Sequence, residues 1–385
     1  MDRKKAEHRP KEVVIVPHGF EPNYTIGFVK GLAACGINPV VISSDSTHQR
    51  LLAIGIRSIN LRHSESHSRP FLEKLANIVL YYCRLVLFLA RHRDSIVHFN
   101  GLFRNRIVLL DGIGLNLVFK LLSSRYLYTV HNVLPHNKDN SRFYRWAYRL
   151  IYRIPDHLLV HTQLAKQHLI ERFSVPERKI TVISIGLNEE MALTDLTAEE
   201  ARKRLGYQAG DKVILFFGKA DAYKGLDTLI EAFDMIGGLP STKLLVSGWF
   251  PDPAYRAMIM EAMESSPRRE DILLKEGFIP NEEVEVLFKS ADVLVLPYRN
   301  IYQSGIVFLC FHFGLPLIAT DVGSLREFVD HDTGIVTRTN DARGVSEALC
   351  LFFREQGRFR REKIVRNAKK FEWGNICRPL VPFYE

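Results

Sequence analysis

Two lysines and two glycines share one short loop in the second half of the chain. Gly218 follows an apolar run, Lys219 and Lys224 lie five residues apart, and Gly225 precedes a helical pattern. Backbone N–H groups, a helix N-terminus and two ammonium groups in one place make an anion site, and a diphosphate is the natural ligand. Many solvated turns have the same composition, so the loop needs support from its neighbours.

A second segment downstream has the same phosphate-binding character. An apolar run ends at Pro297, and Gln303, Ser304 and Gly305 then introduce a helical pattern whose first N–H groups can bind a phosphate. Gly314 ends that pattern before the next apolar run. An ordinary strand–helix–strand unit would show the same order of elements, so this segment alone does not establish a ligand.

Polar residues also end apolar runs in the first half of the chain. His131 and Asn100 each end one run, Gly19 follows the first run, and His136 lies a little beyond His131. A histidine at the carboxyl end of a strand can hydrogen-bond a ligand or relay a proton. On this pattern alone, a cap or a core hydrogen bond is the more ordinary explanation.

Alternating strand and helix patterns must position these residues. Apolar runs rich in Val, Ile and Leu predict parallel sheets covered by helices on both faces. The runs are Val13–Val16, Pro39–Ser43, Ser95–Phe99, Tyr126–Val130, His157–Val160 and Ile180–Ile183, then Val213–Phe217, Lys243–Ser247, Ile272–Lys275, Val293–Leu296, Leu317–Ala319 and Gly334–Val336. Two such series predict an α/β protein with two Rossmann-like domains, residues 1–190 and 191–360, that face each other across a ligand-binding cleft.

The segment 361–385 has four aromatic residues and no strand pattern. It fits either a tail that packs back across the first domain or a plain C-terminal helix of the second domain. The sequence does not distinguish these alternatives.

Composition and charge limit the possible partners. The 385 residues include five cysteines without metal-ligand spacing, and the N-terminus lacks the apolar core of a secretory signal, so a cytoplasmic protein with reduced thiols is expected. Residues 1–190 carry 27 Lys and Arg against 15 Asp and Glu, whereas residues 191–385 carry 25 against 28. The basic first half predicts an anionic partner: nucleic acid, anionic lipid or a phosphorylated substrate.

The spaced residues of the second half resemble those of family 4 glycosyltransferases with the GT-B fold. The resemblance covers residues 213–336 well and the first half only loosely. It implies transfer of a sugar from a nucleotide-sugar donor to a saccharide or lipid-linked saccharide, with retention of configuration and without a metal or cofactor. Assembly of an exopolysaccharide, a lipopolysaccharide or a glycolipid is the implied setting. The matching positions are Gly218-Lys219, Lys224-Gly225-Leu226, Ala291-Asp292, Pro297, Gln303-Ser304-Gly305, and Gly314 through Pro316 and Ile318 to Gly323.

The resemblance also implies a role for each matching residue. His131 would lie beside the reacting sugar as the catalytic residue, and Asn100 and His136 would line the acceptor side. Lys219 and Lys224 would neutralise the donor diphosphate. The full set of implied donor-binding residues is Gly19, Gly218, Lys219, Lys224, Gly248, Phe278, Gln303, Ser304 and Gly305.

The sequence departs from the family pattern at two positions. Many members carry two glutamates, eight positions apart, around the helix that ends at Gly314, and those places hold Ile301 and Leu309 here. Neither side chain can ionise, and only Gln303 offers a polar contact nearby. The departure affects the inferred catalytic detail and stereochemistry more than the fold.

Other functions remain open on the sequence. A sugar-phosphate epimerase or a phosphorylase could share the fold, although no lysine context for pyridoxal phosphate is evident. A non-catalytic or accessory protein that binds nucleotide sugars would explain the missing glutamates. Nucleic-acid binding would explain the basicity, but no recognised motif supports it.

One basic helical pattern favours a membrane partner. Arg142, Arg145, Arg149 and Arg153 share one helix face between aromatic residues, a combination suited to a membrane interface. The apolar segment Phe71–Arg93 could contact lipid or pack on the sheet, and its apolar stretch is shorter than the roughly 20 residues that span a bilayer. We therefore expect peripheral attachment to an anionic cytoplasmic leaflet.

Overall fold

The computed structural model describes residues 11–18, 21–64, 70–103, 107–135, 141–188, 191, 193–236 and 238–385. The chain divides into two compact units. The first unit comprises the chain up to Gly186 together with Glu372–Glu385, and the second is Leu187–Phe371.

The first unit is built on a parallel sheet of seven strands in the order β3-β2-β1-β4-β5-β6-β7. The sequence order reverses between β1 and β4, so the carboxyl ends of these neighbours mark a place where open α/β sheets bind ligands. The strands are β1 (Val13–Val16), β2 (Val40–Ser43), β3 (Arg57–Asn60), β4 (Ile96–Phe99), β5 (Arg125–Val130), β6 (His157–Val160) and β7 (Ile180–Val182).

Helices connect and cover these strands. The apolar faces of α1 and α5 are buried, whereas α3 buries only a stripe that includes Tyr81, Leu85 and Leu89. A π-helical segment, Val108–Gly114, leads directly into α4. The helices are α1 (Pro22–Ala34), α2 (Asp45–Ala53), α3 (Phe71–Arg91), α4 (Leu115–Leu121), α5 (Arg142–Arg153) and α6 (Gln163–Phe173).

The second unit is built on a parallel sheet of six strands in the order β10-β9-β8-β11-β12-β13. Here the order reverses between β8 and β11, whose core residues Ile214, Val293 and Val295 are fully or almost fully buried. The strands are β8 (Lys212–Phe217), β9 (Thr242–Gly248), β10 (Ile272–Glu276), β11 (Val293–Leu296), β12 (Leu317–Ala319) and β13 (Gly334–Val336). The helices are α7 (Ala198–Arg204), α8 (Leu226–Met235), α9 (Pro253–Ser265), α10 (Asn281–Ser290), α11 (Gly305–His312), α12 (Leu325–Phe328), α13 (Ala342–Arg354) and α14 (Arg361–Ala368).

The predicted α/β class with two parallel sheets is confirmed. Each strand predicted from an apolar run is present, with its bounds shifted by at most one residue at either end. The sequence reading missed β3, because Arg57–Asn60 is a partly exposed edge strand with polar residues and gives no apolar run.

The structure divides the C-terminal segment between the two units. Helix α14 belongs to the second unit, and the chain joins the first unit at Glu372, where α15 (Trp373–Cys377) packs on α1. Trp373 packs directly against two glycines. A Cβ on Gly27 would lie 2.1 Å from its Nε1, and a Cβ on Gly186 would lie 2.3 Å from its ring. Any larger side chain at these glycines would displace the tryptophan.

Within the described ranges, no helix combines the length and apolarity that a membrane crossing demands.

Candidate functional site

The predicted anion loop of the second unit connects β8 to α8 through a left-handed turn. Gly225 has φ +67° and directly precedes Leu226, the first residue of α8. A Cβ at Gly225 would lie 2.0 Å from the carbonyl oxygen of Pro297, at the end of β11. Only glycine therefore lets this loop approach the neighbouring strand end.

A second glycine contact joins the ends of three strands. The Gly218 N–H donates to the Ser247 carbonyl at 2.9 Å, and the Gly277 N–H donates to the Gly248 carbonyl at 2.8 Å. A Cβ on Gly248 would lie 1.8 Å from the Gly218 carbonyl oxygen. Gly248 thus fixes the position of the loop that begins at Gly218, and its role in donor binding stays a prediction.

Lys224 is the buried cation of this loop. The residue is 7% exposed, and its Nζ lies 5.4 Å from the centre of the Tyr298 ring. Its Nζ also lies 3.7 Å from the position of a Cβ built on Gly218. Burial and, to a smaller extent, the positive charge of Lys219 lower the pKa of Lys224 to about 8, against an opposing effect of Asp221.

Lys219 has a different environment from Lys224, although the sequence suggests a matched pair. Its side chain is 39% exposed, and its Nζ forms an ion pair with Asp221 Oδ2 at 2.8 Å. Trp249 flanks the same ammonium, with its ring centre 5.9 Å away. The loop therefore holds one buried ammonium and one solvated, paired ammonium.

The start of α11 lies against the same loop. Ser304, the residue before α11, is buried, and its Oγ lies 3.4 Å from the Tyr298 hydroxyl. Ile306 Cδ1 lies 3.1 Å from the position of a Cβ on Gly218. The structure thus brings together Gly218, Lys224 and Ser304, three of the predicted donor-binding residues, although they come from two separate segments.

The other residues predicted to bind the donor lie around this cluster or fall outside the described residues. Gln303 is partly buried, and Gly305 is exposed at the start of α11. Phe278 follows Gly277 at the end of β10 and is 85% exposed, so its ring is available to a ligand. Gly19 and His136 fall outside the described residues.

The sequence did not indicate that Arg299 holds the loop in place. The backbone N–H of Arg299 donates to the Tyr223 carbonyl at 2.8 Å, and its Nη1 donates to the Ala222 carbonyl at 2.7 Å. Its Nη2 forms an ion pair with Asp227, which also accepts a 2.8 Å hydrogen bond from Tyr255. The only sequence signal for this arrangement is a basic residue two positions after Pro297.

The two apolar replacements are integrated into the fold of the second unit. Leu309 is buried in α11, and Ile301 lies in the loop before α11. The Ile301 carbonyl faces Gly323 so closely that a Cβ there would lie 1.7 Å from the carbonyl oxygen.

In the first unit, the predicted catalytic histidine lies in a buried histidine cluster. His131 follows β5 and is buried, and its Nδ1 lies 3.1 Å from Nε2 of His161, which follows β6. Burial and then the neighbouring His161 lower the pKa of His131 well below its ordinary value, and the Asn100 backbone has a smaller opposite effect. Both rings are therefore neutral near pH 7, since burial also lowers the pKa of His161 to about 4.

His98 in this cluster is a core residue. Its Nδ1 lies 2.6 Å from the Tyr384 hydroxyl, and its Nε2 lies 2.7 Å from Thr129 Oγ1. Burial and then His161 lower its pKa to about 3. Both ring nitrogens of His98 are thus used within the first unit, in contrast with Asn100 two residues later.

Asn100 has a fully buried side chain at the carboxyl end of β4. Its backbone N–H donates to the Val16 carbonyl at 2.9 Å, which places it beside the end of β1. Among the described residues, neither Oδ1 nor Nδ2 has a hydrogen-bond partner. An unsatisfied buried amide costs about 1–3 kcal/mol, so this side chain is suited to a polar ligand.

A buried acid–base pair next to Asn100 was not anticipated from the sequence. His18 Nε2 lies 3.2 Å from Asp111 Oδ1, both side chains are buried, and the hydroxyl of Tyr82 also donates to Asp111. His18 has a left-handed backbone, with φ +50°. Because 93 positions separate His18 from Asp111, no local motif could have indicated the pair.

Two family models match the chain. The model for glycosyl transferases group 1 matches residues 197–371, and the model for glycosyltransferase family 4 matches residues 22–190. The two matches correspond to the two parallel sheets.

Curated relatives are similar over part of their length. An uncharacterised glycosyltransferase of Methanocaldococcus jannaschii is 28% identical over 267 residues, which are 65% of each chain. A D-inositol 3-phosphate glycosyltransferase of Corynebacterium aurimucosum is 27% identical over 247 residues, 60% of this chain and 56% of that protein. The chain thus spans 56% to 65% of the length of these relatives.

Solved structures share the fold at low identity. Sucrose-phosphate synthase from Thermosynechococcus elongatus has a TM-score of 0.74 at 18% identity, over 97% of this chain and 98% of that chain. HepE of Anabaena, solved in complex with UDP-glucose, has a TM-score of 0.72 at 13% identity over the same shares. The two family models, which match residues 197–371 and 22–190, show that the chain belongs to these glycosyltransferase families, and the solved structures show that it has the GT-B fold.

Proposed function

We propose that this chain transfers a sugar from a nucleotide-sugar donor to a saccharide or lipid-linked saccharide, and that its second unit binds the donor diphosphate. The observation that carries the proposal is the buried Lys224 beside Gly218 and the start of α11. The nearby carboxylate of Asp221 is engaged by Lys219. A buried ammonium without its own carboxylate is costly, and an anionic ligand would offset that cost.

The same residues would assist sugar transfer. When the bond to the donor sugar breaks, negative charge develops on the diphosphate that leaves. Lys224, Lys219 and the first N–H groups of α11 would stabilise that charge, and fixed charges of this kind usually make the largest contribution to catalysis. Structures of HepE with UDP-glucose and with UDP support a nucleotide-sugar donor for this chain.

In the first unit, His131 and Asn100 are assigned to the reacting sugar and the acceptor. Both residues lie at the carboxyl edge of the sheet, and the unpartnered amide of Asn100 suits a sugar hydroxyl. The family resemblance supports retention of the anomeric configuration and a lipid- or polysaccharide-assembly role on the cytoplasmic side of a membrane.

One observation favours a second candidate, a protein that binds nucleotide sugars without transferring them. Ile301 and Leu309 stand where many relatives carry carboxylates, and Leu309 is buried. This candidate predicts donor binding without product. The proposed transferase, in contrast, would need groups other than those two side chains for catalysis.

A two-step experiment distinguishes the candidates. Thermal shifts are measured with nucleoside diphosphates and nucleotide sugars of each base, for the wild type and for Lys224→Ala. Stabilisation by one base family that is lost in the variant supports the diphosphate site, whereas equal stabilisation of both proteins contradicts it. Release of nucleoside diphosphate with saccharide acceptors then tests transfer, and binding without release favours the second candidate.

Helix α5 supports a membrane partner for the first unit. Trp146 is 51% exposed between the exposed Arg145 and Arg149. The π-helical segment Val108–Gly114 contacts α5 and exposes Leu110 by 70%. Exposed apolar side chains beside arginines suit insertion at an anionic lipid surface, so we assign this surface to peripheral membrane contact.

Liposome flotation tests the membrane assignment. Vesicles with and without anionic lipid are compared for the wild type, for Arg145→Gln/Arg149→Gln, and for the charge-matched control Arg269→Gln/Arg343→Gln in the second unit. We expect flotation that requires anionic lipid and is lost only in the α5 variant. Absence of lipid-dependent binding at modest salt, or equal loss in both variants, would contradict the assignment.

A further inference from the structure

Two buried histidines form a hydrogen-bonded chain that starts at a backbone carbonyl. His161 Nδ1 lies 3.2 Å from the carbonyl oxygen of Ile183, and His161 Nε2 lies 3.1 Å from His131 Nδ1. All three residues follow or adjoin the carboxyl ends of β5, β6 and β7. The order of donors and acceptors along this chain decides which nitrogen of His131 carries its proton.

The carbonyl of Ile183 fixes the first proton. A carbonyl oxygen can only accept, so Nδ1 of His161 carries the hydrogen. A neutral imidazole has a single N–H, which leaves Nε2 of His161 as an acceptor. Two acceptors would repel at 3.1 Å, so Nδ1 of His131 must be the donor to it.

The hydroxyl of Tyr24 fits the same assignment. Its hydroxyl lies 3.4 Å from His161 Nε2. Burial raises the pKa of Tyr24 well above its ordinary value, so the hydroxyl keeps its proton and can donate. A second donor directed at the same nitrogen is consistent with an unprotonated Nε2 in His161.

We infer that His161 is a positioning residue that holds His131 in the Nδ1–H tautomer, which makes Nε2 the acceptor nitrogen of the His131 ring. In this state His131 accepts a hydrogen bond from a sugar hydroxyl and can take up a proton, but it has no N–H to offer through Nε2. The inference rests on the proposed function only in placing the substrate beside His131. The tautomer itself follows from residues within the first unit.

Nitrogen NMR on histidine-labelled protein tests the tautomer without an activity assay. Long-range proton–nitrogen correlations distinguish Nδ1–H, Nε2–H and doubly protonated rings, and single substitutions assign the signals. We expect Nδ1–H for both His131 and His161 at pH 7. An Nε2–H signal or a doubly protonated ring for His131 would overturn the inference.

Variants of His161 test whether it sets this state. His161→Phe removes the acceptor, and the His131 signals should then lose the pure Nδ1–H pattern. His161→Gln offers a carbonyl oxygen to the His131 N–H, so this variant should restore the pattern. His157→Phe is the matched control, since His157 begins β6, at the opposite end of the strand from His161, and bonds Thr181 at 2.8 Å. An unchanged His131 pattern in His161→Phe would refute the positioning role.

The kinetic readout separates this inference from the proposed function. In His161→Phe, kcat/KM should fall by about tenfold or more, as for loss of a correctly held base, while nucleoside diphosphate affinity should stay within about twofold because the donor loop belongs to the other unit. Failure of the wild type to transfer sugar would contradict the proposed function and leave the tautomer result standing. An Nδ1–H tautomer together with unchanged kinetics in His161→Phe would contradict the role in catalysis.

Discussion

The ammonium nitrogen of Lys224 lies 5.4 Å from the centre of the Tyr298 ring. The ring comes from the residue after Pro297 at the end of β11, and the lysine ends the loop that follows β8. The aromatic face partly compensates the buried charge, and such contacts contribute about 0.5–2 kcal/mol. The buried charge therefore lowers the stability of the unliganded protein, and the proposed anionic ligand would offset that cost.

Replacement of Lys224 by methionine should separate binding from stability. Lys224→Met keeps the length of the side chain and removes the charge, so nucleoside diphosphate affinity should fall by about 10- to 100-fold, as for a lost charge-assisted contact. The unliganded variant should be more stable than the wild type by about 1–3 kcal/mol, because a buried unpaired charge is removed. Calorimetric titration and urea unfolding measure the two effects.

Lys219→Met is the control for that experiment. Lys219 is solvated and paired with Asp221, so its loss should weaken diphosphate binding without stabilising the fold. Equal stability changes in the two variants, or full diphosphate affinity in both, would show that burial of Lys224 is unrelated to ligand binding.

Diphosphate binding should weaken as the pH rises above about 8. The pKa of Lys224 in the unliganded protein is lowered to about 8, mainly by burial, and a bound anion favours the charged form and raises it. Binding above this pH must therefore take up a proton, and affinity should fall toward tenfold per pH unit until the higher pKa of the complex is reached. The phosphate groups do not interfere, because their last ionisation, near pKa 6, is already complete.

Titration calorimetry at pH 8.5 in buffers of different ionisation enthalpy measures that proton uptake. The wild type should take up a fraction of a proton per ligand, and Lys224→Met should take up none. Proton uptake that persists in Lys224→Met would assign the titrating group elsewhere.

Lys224 should also affect how stability depends on pH. Its folded pKa of about 8 lies below the ordinary value of 10.5, so the unfolded chain binds more protons between these values and the wild type gains stability as the pH rises through them. Below pH 8 both states are protonated, and the cost of the buried charge is constant. The difference in unfolding free energy between Lys224→Met and the wild type should shrink from pH 8 to pH 10, and a constant difference would contradict the shifted pKa.

Local patterns predicted the strands and helices of the candidate donor site but not how they assemble. The strand before Gly218 and the helix that starts at Gly305 could both be predicted from the sequence, because apolar periodicity and glycine turns are local signals. The burial of Lys224 could not be predicted from the sequence, because the neighbouring residues Tyr298 and Ile306 lie far along the chain. The roles assigned to these residues stay predictions.

Long-range polar contacts account for the other features that the sequence did not indicate. Arg299 and Asp227 are 72 positions apart, and His98 meets Tyr384 across 286 positions. Such pairs form because the fold brings together residues that are distant along the chain, which no short motif records. The polar edge strand β3 was missed because its own composition does not indicate a strand. Its extended conformation is stabilised by pairing with β2.

Arg299 should support diphosphate binding through the loop. Arg299→Ala removes the side-chain hydrogen bond to the Ala222 carbonyl and the ion pair with Asp227, so the Lys219–Lys224 segment should become less ordered. We expect about three- to tenfold weaker binding with a stability loss below about 1 kcal/mol, since the ion pair is partly exposed. Arg343→Ala, which breaks an exposed pair with Glu347 on α13, is the control and should leave binding unchanged. Equal diphosphate affinity of the two variants would show that the Arg299 side chain is not needed to order the loop.

Gly248 should tolerate no side chain, because its backbone lies directly against Gly218. A Cβ at Gly248 would lie 1.8 Å from the Gly218 carbonyl oxygen, so Gly248→Ala must push apart the ends of β8 and β9. Overpacking of this kind costs about 1–3 kcal/mol and should also displace the loop that begins at Gly218, so diphosphate binding should weaken together with stability. Gly357→Ala is the matched control, because nothing lies within 4 Å of its added Cβ. Urea unfolding and calorimetric titration of both variants measure the effect. A Gly248→Ala protein with the stability and affinity of the control would show that the β8 and β9 strand ends are not held in contact in solution.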